Sequence, residues 1–190
     1  MTTLRDIGEN GLLRGILPRL PQRPDVVVGP GDDCAVVRAP GSRSDWLFTT
    51  DPVIERRHFL PETPARLVGR KAIARAVSDI AAMGGEPLWI LVDLVAPAAT
   101  PLARIQGLYA GMIAAARKWH LGILGGDTAE GDTLELHITG VGRIPRGTAV
   151  LRSGARAGDL VYVTGALGGA YLPGCRHHLT FEPRLAAGRF

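Results

Sequence analysis

Aspartates beside glycine or hydroxyl residues recur at four places in this 190-residue sequence. The four motifs are Gly31-Asp32-Asp33, Thr49-Thr50-Asp51, Ser78-Asp79 and Gly125-Gly126-Asp127-Thr128. Hard cations such as Mg²⁺ prefer carboxylate, carbonyl and hydroxyl oxygens, and in proteins they commonly bridge to substrate phosphates. Glycines beside the aspartates let main-chain N–H groups approach a phosphate closely. Taken together, the motifs predict a magnesium and phosphate site assembled from four separate segments.

Each motif also has an ordinary structural explanation when it is taken alone. Gly-Asp pairs form turns, Ser-Asp pairs near helix ends act as caps, and Asp33 is explained as the residue that closes its turn. Asp79 is harder to explain in this way, because its neighbours Val77, Ile80 and Ala81 are apolar. A carboxylate packed among them needs a partner, and a cation is a suitable one. The prediction therefore depends on the four motifs occurring together.

The common nucleotide-binding and hydrolase motifs are missing from the sequence. It has no GxxxxGK[ST] loop, no GxGxxG after a strand and no GxSxG elbow. The glycine turn at 165–169 lacks the required spacing, and the adjacent His177 and His178 point apart. If this chain binds ATP, it does so through a less common fold.

Composition limits the class of protein. A hydrophobic fraction of 46% with 25 glycines suits a folded α/β protein, and the arginines behind the net charge of +4 are dispersed rather than clustered. Phosphorylated small molecules are therefore better candidate partners than nucleic acid. With no apolar run of about 20 residues and no secretory signal, we expect no membrane span and a cytoplasmic location. Cys34 and Cys175 lack metal-ligand spacing and are interpreted as reduced, packed side chains.

The helices and strands that must position the aspartates are predicted from the spacing of apolar residues and from Gly and Pro residues that end regular structure. The predicted helices are 4–17, 64–83, 101–119 and 183–190, and the predicted strands are 25–29, 34–39, 46–51, 87–96 and 134–144. Residues 122–127 are predicted to be a short strand that runs into a loop, and residues 159–169 a strand that leads into a glycine turn. The run 87–96 is almost continuously apolar, which predicts burial on both faces, whereas 134–144 alternates and predicts a half-buried strand.

The order of these elements predicts an α+β, or mixed α/β, domain over residues 1–145. Residues 146–158 are interpreted as a linker into a second domain that is barely started by residue 190. We therefore expect residues 146–190 to be a linker and the beginning of a truncated carboxy-terminal domain.

Five segments of the sequence resemble the thiamine-monophosphate kinase family. They are GDDCAVV (31–37), TTDPVIERRHF (49–59), GRKAIARAVSDIAAMGGEP (69–87), GGDTAEGD (125–132) and ITGVGRIPRGTAVLRSGARAGDLVYVTGALG (138–168). That family is part of a superfamily with aminoimidazole ribonucleotide synthetase, selenophosphate synthetase and a hydrogenase maturation protein. The resemblance runs in order through nearly the whole chain.

The resemblance implies roles for particular residues. The implied magnesium ligands are Asp32, Thr49, Thr50, Asp51, Asp79 and Asp127. The implied ATP-binding residues are Tyr109, Gly126, Asp127 and Arg152, and His58 is the implied contact for thiamine phosphate. His58 is alternatively a partly buried histidine at a strand edge, and Tyr109 is alternatively an ordinary helix-packing residue. No residue is assigned as a catalytic acid or base.

The resemblance also implies a reaction and an assembly. The reaction is direct in-line transfer of the ATP γ-phosphoryl group to thiamine monophosphate, with several Mg²⁺ ions neutralising charge. The assembly is a homodimer through the amino-terminal domain, in which sheets from both chains form a barrel with helices on one face and with ATP near the interface.

Some features depart from the family pattern. The family's carboxy-terminal metal and substrate residues are missing, and Arg56-Arg57 replace smaller residues before His58. Two alternatives stay open. One is a related ATP-dependent enzyme with another acceptor, and the other is a non-catalytic, dimerising nucleotide-binding module.

Overall fold

The computed structural model describes residues 2–165 and 177–189. The strands in these residues are β1 (Val26–Val28), β2 (Ala35–Val37), β3 (Ser44–Ile54), β4 (Glu86–Ala96), β5 (Gly122–Glu130) and β6 (Glu135–Pro145). The α-helices are α1 (Leu4–Ile16), α2 (Ala65–Ala82), α3 (Leu102–Lys118), α4 (His177–Thr180) and α5 (Leu185–Gly188). Two 3₁₀ turns lie at Leu17–Arg19 and Arg152–Gly154. The predicted elements of residues 4–144 are all present, with shifted ends.

The strands form one sheet in the order β1-β2-β3-β6-β4-β5. Neighbouring strands are antiparallel except β4 and β5, which are parallel and are joined by α3. Strand β3 pairs with β6 along its whole length, whereas β2 covers only residues 46–48 of β3. The fold is thus the mixed α/β fold that the sequence predicts, and within one chain the sheet stays open. A barrel across a dimer remains a prediction.

Helices α2 and α3 pack against each other on one face of the sheet and bury the main core. Two glycines allow their close approach. A Cβ on Gly69 would lie 2.0 Å from the Leu108 carbonyl oxygen, and one on Gly111 would lie 2.0 Å from the Arg66 carbonyl oxygen. Each helix therefore meets the backbone of the other directly, which fixes how α2 lies over the sheet.

The other face of the sheet has no helix over it in the described residues, and this corrects the prediction for 87–96. Strand β4 alternates: Ile90 is buried, whereas its neighbours Trp89 and Leu91 are 38% and 39% exposed. The apolar side chains on the open face produced the continuous run that the sequence shows. The prediction for 134–144 is confirmed, because Leu136 and Ile138 are buried beneath α2 and α3.

The strand predicted at 159–169 is wrong over its described part. Residues 159–165 form no strand, and Val161 and Tyr162 are 93% and 83% exposed. Within the described ranges no neighbouring strand pairs with this segment, so its alternating side chains have nothing to pack against. Residues 166–169 and Cys175 lie outside the described residues. The helix predicted at 183–190 is reduced to α5.

The segment after β6 packs back onto the sheet domain. The N–H of Gly147 donates to the Asp45 carboxylate at 2.9 Å, and the N–H of Val150 donates to the Met83 carbonyl oxygen at 3.1 Å. The division of the chain at residue 145 remains a prediction. Among the helices that the structure describes, none is both long enough and apolar enough to cross a membrane.

Candidate metal and phosphate site

A polar cluster forms where β3 passes beneath the carboxy-terminal half of α2. Side chains alternate between the two faces of a strand, so Thr49 and Asp51 both point toward the helix side. Thr49 is 8% exposed, and its Oγ1 donates to Asp79 Oδ2 on α2 at 2.6 Å. Two of the predicted motifs, 30 residues apart in sequence, are therefore in direct contact.

Asp51 has a cationic partner on the same helix. Arg75 Nη2 donates to Asp51 Oδ1 at 2.7 Å, and the two side chains are 30% and 17% exposed. Arg75 lies one turn before Asp79 on α2, so both side chains face β3. In this arrangement an arginine neutralises one of the predicted metal ligands.

The first acidic motif and Arg152 meet at the edge of this cluster. Arg152 Nη2 donates to Asp33 Oδ1 at 2.6 Å, and the main-chain N–H of Arg152 donates to Asp32 Oδ2 at 3.1 Å. The two aspartates raise the pKa of the Arg152 guanidinium above its usual range, mainly through the hydrogen bond with Asp33. The predicted phosphate-binding arginine thus lies beside the predicted metal ligands.

The aspartates of the three motifs lie close enough together to influence the pKa values of their neighbours. The pKa of Asp79 is raised to about 6, mainly by burial and also by the negative charges of Asp51 and Asp33, against the hydrogen bond from Thr49. Burial also raises the pKa of the Cys34 thiol, with added effects from Asp79, Asp33 and Asp32. Cys34 is a buried free thiol, as the sequence predicts.

His58 lies at the opposite end of the α2 face. Its Nδ1 accepts a hydrogen bond from the Ile54 N–H at 2.9 Å, so Nε2 carries the proton of the neutral ring. Its carbonyl oxygen accepts a bond from Lys71 Nζ at 2.6 Å. Burial lowers the pKa of His58, and the charges of Arg75 and Lys71 lower it further. A neutral His58 therefore has an Nε2–H donor for an anionic ligand.

Lys71 is a buried cation whose role the sequence did not indicate. It is 7% exposed, and its Nζ is 2.9 Å from His178 Nδ1 as well as bonded to the His58 carbonyl. The pKa of its ammonium group is lowered to about 8, mainly by burial and also by the charge of Arg75. Lys71, Arg75 and Asp79 are four residues apart in sequence, which places all three on one helix face. This spacing is the sequence signal that could have identified Lys71.

The structure does not bring every predicted ligand to this cluster. Thr50 points to the open face, because it alternates with Thr49 and Asp51. Asp127 pairs in register with Asp93 and lies on edge strand β5, also toward the open face. At about 4.8 Å per strand, β5 is about 14 Å from β3. The predicted ligands therefore form two groups on opposite faces of the sheet.

Asp127 belongs to a second, smaller acidic group. Its main-chain N–H donates to Asp93 Oδ1 at 3.1 Å. Gly126 lies so close to β4 that a Cβ there would be 1.8 Å from the Val92 carbonyl oxygen. Tyr109 is partly buried and packs against the main core. This is the position that an ordinary helix-packing residue would have. The ATP-binding roles of Gly126, Asp127 and Tyr109 remain predictions.

The donors of the first group are those that Mg²⁺ prefers. Asp32, Asp51 and Asp79 offer carboxylate oxygens and Thr49 offers a hydroxyl, with no sulfur ligand among them. They are not preassembled, since no three acidic, His or Cys side chains in the described residues stand close enough to hold a metal ion. Each is instead bonded to a protein donor: Thr49, Arg75 or the Arg152 main chain. The residues fit the metal in kind, and each of the three carboxylates already has one oxygen bonded to a protein donor.

Comparison with known proteins identifies the family. The profile of the AIR synthase related protein, N-terminal domain, matches residues 31–144, which is more than half of the chain. The chain therefore belongs to the AIR synthase related family, and its sheet with two covering helices is that family's amino-terminal domain.

Within the family, thiamine-monophosphate kinases are among the similar proteins. That of Bacillus subtilis (strain 168) is 38% identical over 162 residues, which are 84% of this chain and 50% of that enzyme. That of Mycobacterium tuberculosis (strain ATCC 25618 / H37Rv) is 37% identical over 167 residues, covering 87% and 50%. The resemblance noted in the sequence is thus confirmed. The chain spans about half the length of these curated relatives.

Solved structures of similar proteins have the same fold. The structure described as AaThiL complexed with AMPPCP and TMP matches with a TM-score of 0.87 and 30% identity over 100% of this chain and 64% of that one. The structure of tt0281 from Thermus thermophilus matches with a TM-score of 0.68 and 31% identity, covering 75% and 46%.

Proposed function

We propose that this chain is the nucleotide- and metal-binding half of a kinase that transfers the γ-phosphoryl group of ATP to thiamine monophosphate, giving thiamine diphosphate. The observation that carries the proposal is the cluster of Asp51, Asp79 and Thr49 beneath α2, flanked by Arg75 and Arg152. It lies within the segment that is 38% identical to a thiamine-monophosphate kinase. A related structure is described as a complex with AMPPCP and TMP.

The chemistry suits such a cluster. The acceptor in this reaction is already an anionic phosphate, so transfer needs alignment and charge neutralisation more than a general base. Arg152 would bind a nucleotide phosphate through its planar guanidinium. His58, neutral and with its Nε2 protonated, would donate a hydrogen bond to the acceptor phosphate. Mg²⁺ bound by Asp32, Asp51 and Asp79 would supply the additional positive charge that phosphoryl transfer requires.

We further propose that the working unit is a cytoplasmic homodimer formed through the open face of the sheet. Apolar side chains there are substantially exposed, including Phe48 at 39%, Leu91 at 39% and Leu124 at 61%. Trp46 and Trp89 stack on this face with ring centroids 5.6 Å apart. Such a patch is typical of an interaction surface. A dimer through it would place Asp127 at the interface, which agrees with the expectation that ATP lies near it.

A product assay tests the proposed reaction. The purified chain is incubated with ATP, Mg²⁺ and thiamine monophosphate, and thiamine diphosphate is separated and quantified by fluorescence after oxidation to thiochrome. Asp51→Asn and Asp127→Asn are expected to lower product formation by about a hundredfold or more. Glu9→Gln, which neutralises an exposed acid on α1, should leave it unchanged.

The same assay on the longest open reading frame that contains this chain separates the alternatives. Transfer to another phosphorylated acceptor but not to thiamine monophosphate would favour a related enzyme of the family. Nucleotide binding without transfer to any acceptor, even by that longer protein, would contradict the kinase proposal and favour a binding module.

A further inference from the structure

The contact between Arg75 and Asp51 differs from a structural ion pair elsewhere in the same chain. Arg38 binds Asp45 with two donors, Nε at 2.6 Å and Nη2 at 2.7 Å, and Asp45 is 1% exposed. Arg75 reaches Asp51 through Nη2 alone, at 2.7 Å. A two-donor pair is stronger and more rigid than a one-donor pair. The Arg75 contact is therefore the weaker and more readily exchanged of the two.

Arg75 also has an unused donor. Its Nε is buried and has no hydrogen-bond partner among the described residues. A buried N–H without an acceptor costs about 1–3 kcal/mol. The present position of Arg75 thus satisfies the charge of Asp51 but leaves the guanidinium partly unsatisfied, which favours a second position in which Nε also finds an acceptor.

We propose that Arg75 is an internal counter-ion, which neutralises Asp51 in the cation-free protein and must leave it before a divalent cation can bind there. The proposal rests on the proposed function for the identity of Asp51 as a metal ligand. The exchange replaces a guanidinium on the Asp51 carboxylate with a divalent ion and breaks no covalent bond. The released guanidinium stays beside the cluster, where its free N–H donors face the anionic phosphates of the nucleotide.

This role predicts an effect opposite to that of a structural ion pair. If Arg75 competes with the cation, removing its charge strengthens cation binding at Asp51. If Arg75 only holds β3 against α2, removing it loosens the cluster and weakens binding. Direct measurement of cation binding without nucleotide distinguishes the two, and it does not depend on kinase activity.

The test is a titration of the 190-residue chain with Mn²⁺, in which free Mn²⁺ is followed by its electron paramagnetic resonance signal. Arg75→Met is expected to bind Mn²⁺ about tenfold more tightly than the parent, the effect of removing one competing ion pair. Arg75→Lys, which keeps the charge, should stay close to the parent. Arg66→Met, an exposed arginine at the other end of α2, makes the same charge change away from the site and should have little effect.

A second variant assigns the gain to Asp51. In Arg75→Met combined with Asp51→Asn, the tighter binding should disappear. Equal or weaker binding by Arg75→Met, a gain that survives in the double variant, or no binding by either parent or Arg75→Met would overturn the proposal. Tighter Mn²⁺ binding by Arg75→Met, together with a negative thiamine diphosphate assay on the longest open reading frame that contains this chain, would leave the counter-ion role standing and reject only the kinase.

A measurement on the unmodified chain covers the case in which Arg75→Met does not fold. Arginine Nε–Hε resonances are recorded during Mg²⁺ titration, with Arg75 assigned by comparison with Arg75→Lys. The Arg75 signal should shift with Mg²⁺, whereas the Arg38 signal should not. An unchanged Arg75 signal at saturating Mg²⁺ would also overturn the proposal.

Discussion

Thr49 Oγ1 donates a hydrogen bond of 2.6 Å to Asp79 Oδ2, which ties the middle of β3 to the last turns of α2. The bond engages Oδ2 of Asp79, and no hydrogen bond to Oδ1 is present within the described residues. Because Thr49 is buried and Asp79 is surrounded by apolar helix residues, both side chains are held at a defined place. This contact is the link on which the candidate site is built.

Replacing Asp79 should stabilise the protein at neutral pH. Its folded pKa of about 6 lies above the usual 3.8, so the unfolded chain loses this proton first as the pH rises. The free energy of unfolding should therefore fall between about pH 4 and pH 6 and stay lower above that range. Asp79→Asn cannot ionise, and in urea denaturation with a chelator present it should be more stable by about 1–2 kcal/mol at pH 7.5.

The same variant at about pH 3 is the control for that prediction, because Asp79 is then mostly neutral in both the folded and the unfolded parent, and the two proteins should be about equally stable. An Asp79→Asn protein that is less stable than the parent at pH 7.5 would contradict the electrostatic account.

Gly126→Ala should weaken the attachment of β5. Gly126 has φ of 152°, where a side chain is strained, and a Cβ would lie 1.8 Å from the Val92 carbonyl oxygen. We expect a loss of about 3 kcal/mol or more in the free energy of unfolding, with faster amide exchange confined to β5. Gly125→Ala is the matched control, since its φ is 150° but no atom lies within 4 Å of the added Cβ. Equal losses in the two variants would exclude the backbone contact as the cause.

Arg38→Met should be among the more damaging single changes outside the site. Among the described residues, it leaves the buried Asp45 carboxylate with only the Gly147 N–H as a hydrogen-bond donor. The expected cost is about 3 kcal/mol in chemical denaturation at pH 7. Arg38 holds the pKa of Asp45 below its usual range, so the parent's advantage over the variant should shrink as the pH falls through the acid range.

The exposed pair of Arg23 and Asp25 provides the comparison. Arg23→Met removes an arginine that is 76% exposed, and it should cost far less stability than Arg38→Met in the same denaturation experiment. A cost for Arg38→Met as small as that for Arg23→Met would show that the Asp45 pair contributes no more than an ordinary surface pair.

Charged residues on the open face should prevent dimerisation. Phe48→Glu and Leu91→Glu place a carboxylate within the exposed apolar patch. Each is expected to weaken a dimer by about a hundredfold in sedimentation equilibrium, because the charge would be buried without a partner. Leu102→Glu, at a leucine that is 69% exposed at the start of α3, should have no effect. A parent that stays monomeric at high concentration would contradict the dimer proposal.

Periodicity and resemblance predicted most of the sheet domain. Strand β6 and helices α2 and α3 were predictable because each buries one face and repeats its apolar residues at the matching period. The burial of β4 was not predictable, because a strand with apolar residues on both faces has the same sequence pattern whether its outer face is covered or open. The prediction of a strand within 159–169 was wrong over the described residues, because alternation of apolar and polar residues cannot show whether a partner strand is present.

The candidate site was predicted in part. The sequence identified Asp51 and Asp79, and their proximity follows from α2 crossing β3. It did not show that Thr50 and Asp127 lie on the opposite face, since that depends on strand order and register. The sequence did not distinguish Arg75 from the many other arginines. Its contact with Asp51 in the structure distinguishes it.

The most direct test of the account is whether nucleotide binding by this chain depends on a divalent cation at the α2 cluster. Isothermal titration calorimetry with a non-hydrolysable ATP analogue would be run with Mg²⁺ and with chelator, on the parent, on Asp51→Asn/Asp79→Asn and on Glu9→Gln. The account predicts binding at least about tenfold tighter with Mg²⁺ in the parent and in Glu9→Gln, and a ratio near one in the double variant. A parent ratio near one, or an unchanged ratio in the double variant, would contradict it.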